Sequence, residues 1–409
     1  MTSILEEHFD EAQFLVTRLG RALDSPLYTL DEVAEGDEER LLAHVDGLVV
    51  AGPSIVETML IPAMLEGPAP AATAAAMAVL SADEPPVREK FFEHAAEMPE
   101  ELSSGWVEAL ARSELIPDAR ILAGIHGPHA KLCLGALAFR GATVDPNLLD
   151  AVDVAEAPGE LSALLRAQRA QKRQAARVWP VLEHHPVLAV AEHALEVALL
   201  TDDRSAWGAV QRACRAAEPL TPRALQIVAA LGRPEDVRAL ASGLEDPARR
   251  RDIVFALGFA GFPEIVSALL GCLDDDAINP VAAEAYAAIT GFDAARARAV
   301  VRRPDPESLP PLEEDDLDAD LGLDPDAELE AVDPAILRRH WSEHRGQFTQ
   351  GQRYLRGQAL TPELVAEAVV QEPTRRRAFW ARELWFRTGG RTHVAVRAGT
   401  ARQRRQMGR

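Results

Sequence analysis

Apolar residues return at mostly helical spacing in the opening segment (Ile4, Leu5, Phe9, Phe14, Leu15, Leu19 and Leu23), which predicts one helix from Ser3 to Asp24, closed by Ser25-Pro26. Leu41, Leu42, Val45, Leu48 and Val49 predict a second, from about Asp37 to Val50. Residues 1–52 therefore read as an N-terminal helical pair. From Pro53 to Val301 the pattern becomes a succession of ten- to fifteen-residue alanine- and leucine-rich segments divided by short breaks with Gly, Pro or Asp. In Asp145-Pro146, Thr221-Pro222 and Asp246-Pro247 the proline stands at the start of the next helix, where its missing N–H leaves nothing unsatisfied and the residue before it can cap.

An internal repeat sharpens this picture. Shifting Pro234–Asp246 by 29 residues onto Pro263–Asp275 gives seven identities in thirteen positions, among them Val237 with Val266, Leu240 with Leu269, and Asp246 with Asp275. Each copy continues into a second apolar segment, one holding Ile253, Val254 and Leu257, the other running from Val281 to Ile289. Two helices per roughly thirty residues is the form of a short HEAT-like repeat, in which no helix pair buries its apolar face without the next. The stretches Ala119–Gly141 and Pro186–Leu231 read as longer, degenerate units. The expected fold is all-α: a HEAT-like α-solenoid over residues 53–301, an N-terminal helical pair, and a small C-terminal helical unit.

Charge divides the remainder. Between Pro304 and Pro334 there are thirteen acids and no Lys or Arg, so residues 302–333 read as an acidic linker, mobile from Asp305 to Asp333. Residues 334–409 predict three or four short helices and a short strand around Thr392–Val396; from Gln371 onward, eleven Arg face two Glu. The whole chain carries a formal charge of −21, which argues against a body that wraps nucleic acid or lies on an anionic membrane. Cys133, Cys214 and Cys272 are far apart in apolar stretches, as expected of buried thiols in a reducing, cytoplasmic setting. The acidic first ten residues lack the basic start and apolar run of a leader, and the longest low-polarity stretch, Ala69–Leu80, is too short to span a bilayer.

The sharpest catalytic pattern is His340-Trp341-Ser342-Glu343-His344, the HxxEH order of some zinc hydrolases, with Glu363, Glu367 or Glu372 left to supply a third ligand. A solvated helix face anchored by Trp341 is the plainer reading. His126 with His129, and His184 with His185, have no acidic or cysteine ligand at a supporting spacing. No phosphate-binding glycine loop or nucleophile elbow occurs, and neither a cofactor nor a metal is expected on the plainer reading. Arg375-Arg376-Arg377 interleaved with Phe379, Trp380, Trp385 and Phe386 fits a protein contact or an amphipathic helix better than nucleic acid.

Glu6-Glu7-His8, Ala12-Gln13-Phe14-Leu15, Ser25-Pro26-Leu27-Tyr28-Thr29-Leu30, Leu41, Ala43-His44, Asp46-Gly47-Leu48 and Ala51-Gly52 form one set of motifs, and Arg353-Tyr354 with Gly357, Arg377, Ala381 and Glu383-Leu384 another near the other end. In these the chain resembles an uncharacterised bacterial family of HEAT-like proteins often encoded beside type VI secretion genes. The resemblance implies an accessory role in secretion, handling an effector or an apparatus component. The expected function is a non-catalytic scaffold or adaptor that binds protein; a HEAT-like enzyme acting on DNA bases is the main alternative. The expected partner contact is Arg353, Arg356, Arg375 and Arg376, with Tyr354 and Trp380 packing beside them.

Overall fold

Helices form where the alanine- and leucine-rich segments predict them. The computed structural model describes residues 4–150, 152–154, 157–165, 171–201, 204–215, 221–301 and 325–408. Two compact units emerge: Met1–Trp207 together with Ala368–Arg409, and Gly208–Glu367. The stretch 334–409, expected as one unit, is thus divided between them, and the N-terminal pair is part of the first.

The first unit opens with α1 (Ile4–Ala22), α2 (Leu30–Val33), α3 (Glu39–Val50), α4 (Ile61–Glu66), α5 (Ala69–Ser81), α6 (Pro85–His94) and α7 (Ser103–Arg112). It continues with α8 (Asp118–Leu122), α9 (Ala130–Arg140), α10 (Pro146–Asp150), α11 (Pro158–Leu165), α12 (Gln171–Leu182) and α13 (Leu188–Leu200). A central row runs through it: α1 and α3 pack on α5, then α5 on α7, α7 on α9, α9 on α11, and α11 on α13. Every residue from Ala71 to Leu80 of α5 is buried, because small side chains let neighbouring helices approach on all sides. An arginine closes one helix end inside the row. Arg140, fully buried, donates to the carbonyls of Leu110, Ala111, Ser113 and Ile116 and pairs with Asp118 at 2.6 Å, satisfying acceptors that the end of α7 leaves open.

α14 (Arg204–Ala213) spans the boundary, and the second unit holds α15 (Thr221–Leu231), α16 (Pro234–Ala241), α17 (Pro247–Ala260), α18 (Val266–Gly271), α19 (Asn279–Thr290) and α20 (Pro334–His344). The repeat is real in three dimensions. Val237, Leu240, Val266 and Leu269 are all buried, α15 packs on α17 and α17 on α19, and the repeated aspartates do the same work: Asp246 accepts from the Ala248 N–H and Asp275 from the Ala277 N–H, both at 3.1 Å. Arg250 ties the copies together through Asp275 at 3.0 Å.

A two-stranded hairpin, β1 (Tyr354–Leu355) with β2 (Gln358–Ala359), caps this row; none forms at Thr392–Val396, where the strand was expected. Its backbone N–H groups of Tyr354, Arg356 and Gly357 donate to the carbonyls of Gly261, Ala288 and Ile289 at the ends of α17 and α19. Gly261 and Gly291 have φ of +74° and +73°, and a Cβ on either would lie 2.5 or 2.6 Å from a hairpin carbonyl, so only glycine fits. α21 (Pro362–Gln371) spans the second boundary, and α22 (Thr374–Arg387) and α23 (Thr400–Gln406) return to the first unit.

Of the acidic linker, residues 302–324 lie outside the described residues. Residues 325–333 are not a mobile tether: Val332 bridges Val300, exchanges hydrogen bonds of 2.8 and 3.0 Å with the Asn279 amide, and is buried, while the carboxylate of Asp326 pairs with Arg251. Partners for the backbone outweigh the repulsion that acidic composition alone predicts.

Candidate functional site

The arginines expected to face a partner are largely used inside the fold. Arg353 is half-buried and donates to the carbonyls of Ala230, Phe259 and Ala260 at 2.7 to 3.1 Å, closing the C-terminal ends of α15 and α17. Tyr354 is buried beneath it, with its hydroxyl accepting from the Thr349 N–H, and Arg356 is exposed at a φ of +48°. Arg376 is 2% exposed, pairing with Glu372 at 3.1 Å; Trp380 is 1% exposed; Arg375 is half-buried, its N–H donating to the Ser25 carbonyl. Arg353, Tyr354 and Arg356 belong to the second unit and Arg375, Arg376 and Trp380 to the first. The sequence pattern placed arginine on a solvated face because charge is normally exposed; here each buried guanidinium meets carbonyls or a carboxylate that need its five donors.

The His340–His344 pair is likewise structural in its contacts. The His340 Nδ1 lies 2.6 Å from the Tyr286 hydroxyl, the two imidazoles stack at 4.2 Å, and His344 Nδ1 donates to the His340 carbonyl. Burial and the neighbouring His344 hold the His340 pKa below its ordinary value. Among the described residues no three His, Cys, Asp or Glu side chains stand where they could hold one metal ion. Burial pushes the thiol of Cys133 up to about 11 and that of Cys214 to about 12, and raises Cys272, so none is poised as a nucleophile.

An opening lies elsewhere, in the first unit, lined by residues of α22 and of the row formed by α9, α11 and α13. Gly135 and Ala138 on α9 and Gly159 and Ala163 on α11 leave a cleft of about 460 Å³. Trp385 and Arg382 of α22 and the stretch His393–Arg397 line it as well. Arg382 pairs at 2.6 Å with Glu196 of α13, which is wholly buried, and His193 stands one turn before it. Comparison with family models, curated proteins and solved structures returns no match. The cleft must therefore be read from its own chemistry: an apolar hollow of ligand-pocket size with a buried ion pair and imidazoles in its wall, suited to holding an apolar group. Sequence reasoning missed it. Glycine inside α9 is no clear signal of it: a Cβ on Gly135 would lie 3.0 Å from Val107 of α7, so close packing of the helices already accounts for a residue that costs a helix about 1 kcal/mol relative to alanine.

Proposed function

We propose that this chain is a protein-binding scaffold, of the adaptor kind, that takes an apolar segment of its partner into the cleft of the first unit. What supports the reading is the cleft itself: it opens on a row of packed helices, its wall is mostly apolar, and the half-exposed Val187 stands among its lining residues. Stacked helix pairs supply a rigid binding surface without any chemistry of their own. The resemblance to HEAT-like proteins encoded beside type VI secretion genes would give such an adaptor an accessory role in secretion, with an effector or an apparatus component as cargo.

The test fills the cleft rather than emptying it. Ala163→Trp places a large ring where α11 faces the hollow. The expected result is that a partner recovered in fixed proportion with the wild-type chain from an extract of its own cells is lost with the variant, whose thermal midpoint stays within a few degrees. Recovery of the same partner by both proteins would place the contact outside the cleft, and recovery of none would remove the adaptor reading.

A further inference from the structure

The last helix, α23, holds its place almost wholly by charge and hydrogen bonds. Its sequence, Thr-Ala-Arg-Gln-Arg-Arg-Gln, has no large apolar side chain. Arg404 reaches Asp31 at 2.6 Å, Arg405 reaches Glu114 at 2.9 Å and Arg402 reaches Asp118 at 3.4 Å, while Arg397, just before the helix, meets both oxygens of Asp24 at 2.8 Å. The Thr400 N–H donates to Glu38 at 3.1 Å, and Gln403, fully buried, donates to the carbonyls of Val396 and Ala398 and accepts from Arg377. Asp24, Asp31 and Glu114 remain 57 to 67% exposed although paired, so those bonds are open to water and salt.

Two further observations bear on how firmly this segment is seated. It is joined to α22 by Gly389 and Gly390, both at positive φ, and it lies over hollow ground: the 460 Å³ cleft is lined by His393–Arg397, and a second cavity of about 210 Å³ by Arg391–His393 and Gln406. Interiors are close-packed, so the two hollows mark loose packing beneath a segment of which Val394, Ala398, Thr400 and Gln403 are buried.

We propose that the acidic face made by Asp24, Asp31 and Glu114, flanked by Glu38 and Asp118, which also pair with the inner arginines Arg112 and Arg140, is a docking surface for an arginine-rich helical segment of a partner protein, and that α23 is the tethered occupant such a segment replaces. The inference rests on the adaptor reading and adds to it the charge of the partner. Complementarity selects the occupant: the face is anionic, four arginines of the chain itself already show the spacing it accepts, and the chain's overall charge of −21 draws a basic partner and repels an acidic one. Displacing α23 also frees His393–Arg397 from the mouth of the cleft, which couples docking to the opening of the apolar site.

The probe is a fluorescent peptide of residues 396–408 of this chain, added to the full-length protein and to R402E/R404E/R405E, in which the tethered occupant is repelled from the acids. Relief from the internal competitor is expected to tighten binding by at least about tenfold in the variant over wild type, with the gain lost in high salt. Equal and weak binding to both proteins would overturn the proposal, as would equally tight binding of a scrambled peptide of the same composition. Unfolding of the variant would overturn it too, because α23 would then be part of the core. None of these outcomes depends on finding a natural partner, so failure here is distinct from failure of the adaptor reading.

Discussion

α22 and α23 come from the same arginine-rich stretch, yet the fold treats them oppositely. In α22, Arg376, Arg377 and Arg382 are 0 to 7% exposed, set among buried Phe379, Trp380, Leu384 and Trp385. Arg377 donates to the Val369 carbonyl at 2.5 Å and to Gln403 at 2.9 Å, and burial lowers its pKa to about 10. In α23, Arg404 and Arg405 remain 40% and 54% exposed in their ion pairs. The difference is apolar company. A guanidinium follows its helix into the core when neighbouring aromatics make burial favourable and carbonyls or carboxylates wait there; without such neighbours it stays at the rim, where an ion pair contributes little.

The largest expected effect is at Arg382. Arg382→Met leaves Glu196 as a charge buried without its guanidinium and should destabilise the first unit by about 3–5 kcal/mol in chemical denaturation. Adding Glu196→Gln should recover part of that loss, and a single substitution without effect would show α22 to be no more deeply held than α23. Arg353→Ala carries the comparison into the second unit: it removes donors from three helix-end carbonyls, for an expected loss of about 1–3 kcal/mol. By contrast Arg404→Ala should change stability by less than about 0.5 kcal/mol, and a loss as large as that at Arg382 would break the distinction.

A smaller, pH-dependent effect belongs to His340. Its folded pKa lies below the ordinary value of 6.5, so the unfolded chain takes up a proton first. Its contribution is fully present above pH 6.5 and is lost as pH falls through the folded pKa. His340→Asn should flatten that part of the stability profile of the second unit. An unchanged profile would mean that burial beside His344 does not set the titration.

Much of the helix content was legible because it rests on local rules. Proline just inside a helix start and the Asp246 cap act within one or two turns, the 29-residue repeat carries the same local pattern twice, and the structure places them as read. The grouping of the helices was not legible. It depends on meetings far apart in the chain, such as the Thr374 N–H on the Tyr28 carbonyl and the Thr400 N–H on Glu38, which join the C-terminal stretch to the first turns. Thr374 follows a proline and precedes three arginines, and nothing in that local pattern announces its partner. The internal contacts of the candidate arginines were not legible for a related reason: charge predicts exposure only when no internal acceptors compete, and Arg353 and Arg376 each have them. Lys90, Lys131 and Lys172 are the only lysines in the sequence, and a basic set made almost entirely of arginine suits forked bonds to carbonyls as much as contacts with a partner.

The division between α22 and α23 is tested most directly by amide hydrogen exchange of the intact chain at two salt concentrations. Raising the salt from about 0.1 M to about 1 M shortens the screening length from roughly 10 Å to roughly 3 Å and weakens exposed ion pairs far more than buried ones. The expected result is several-fold faster exchange across residues 401–408 while residues 378–387 keep their protection. Protection of the two stretches rising or falling together, or an α23 as slow as α22 at both concentrations, would contradict the view that one arginine-rich helix is core and the other a replaceable occupant.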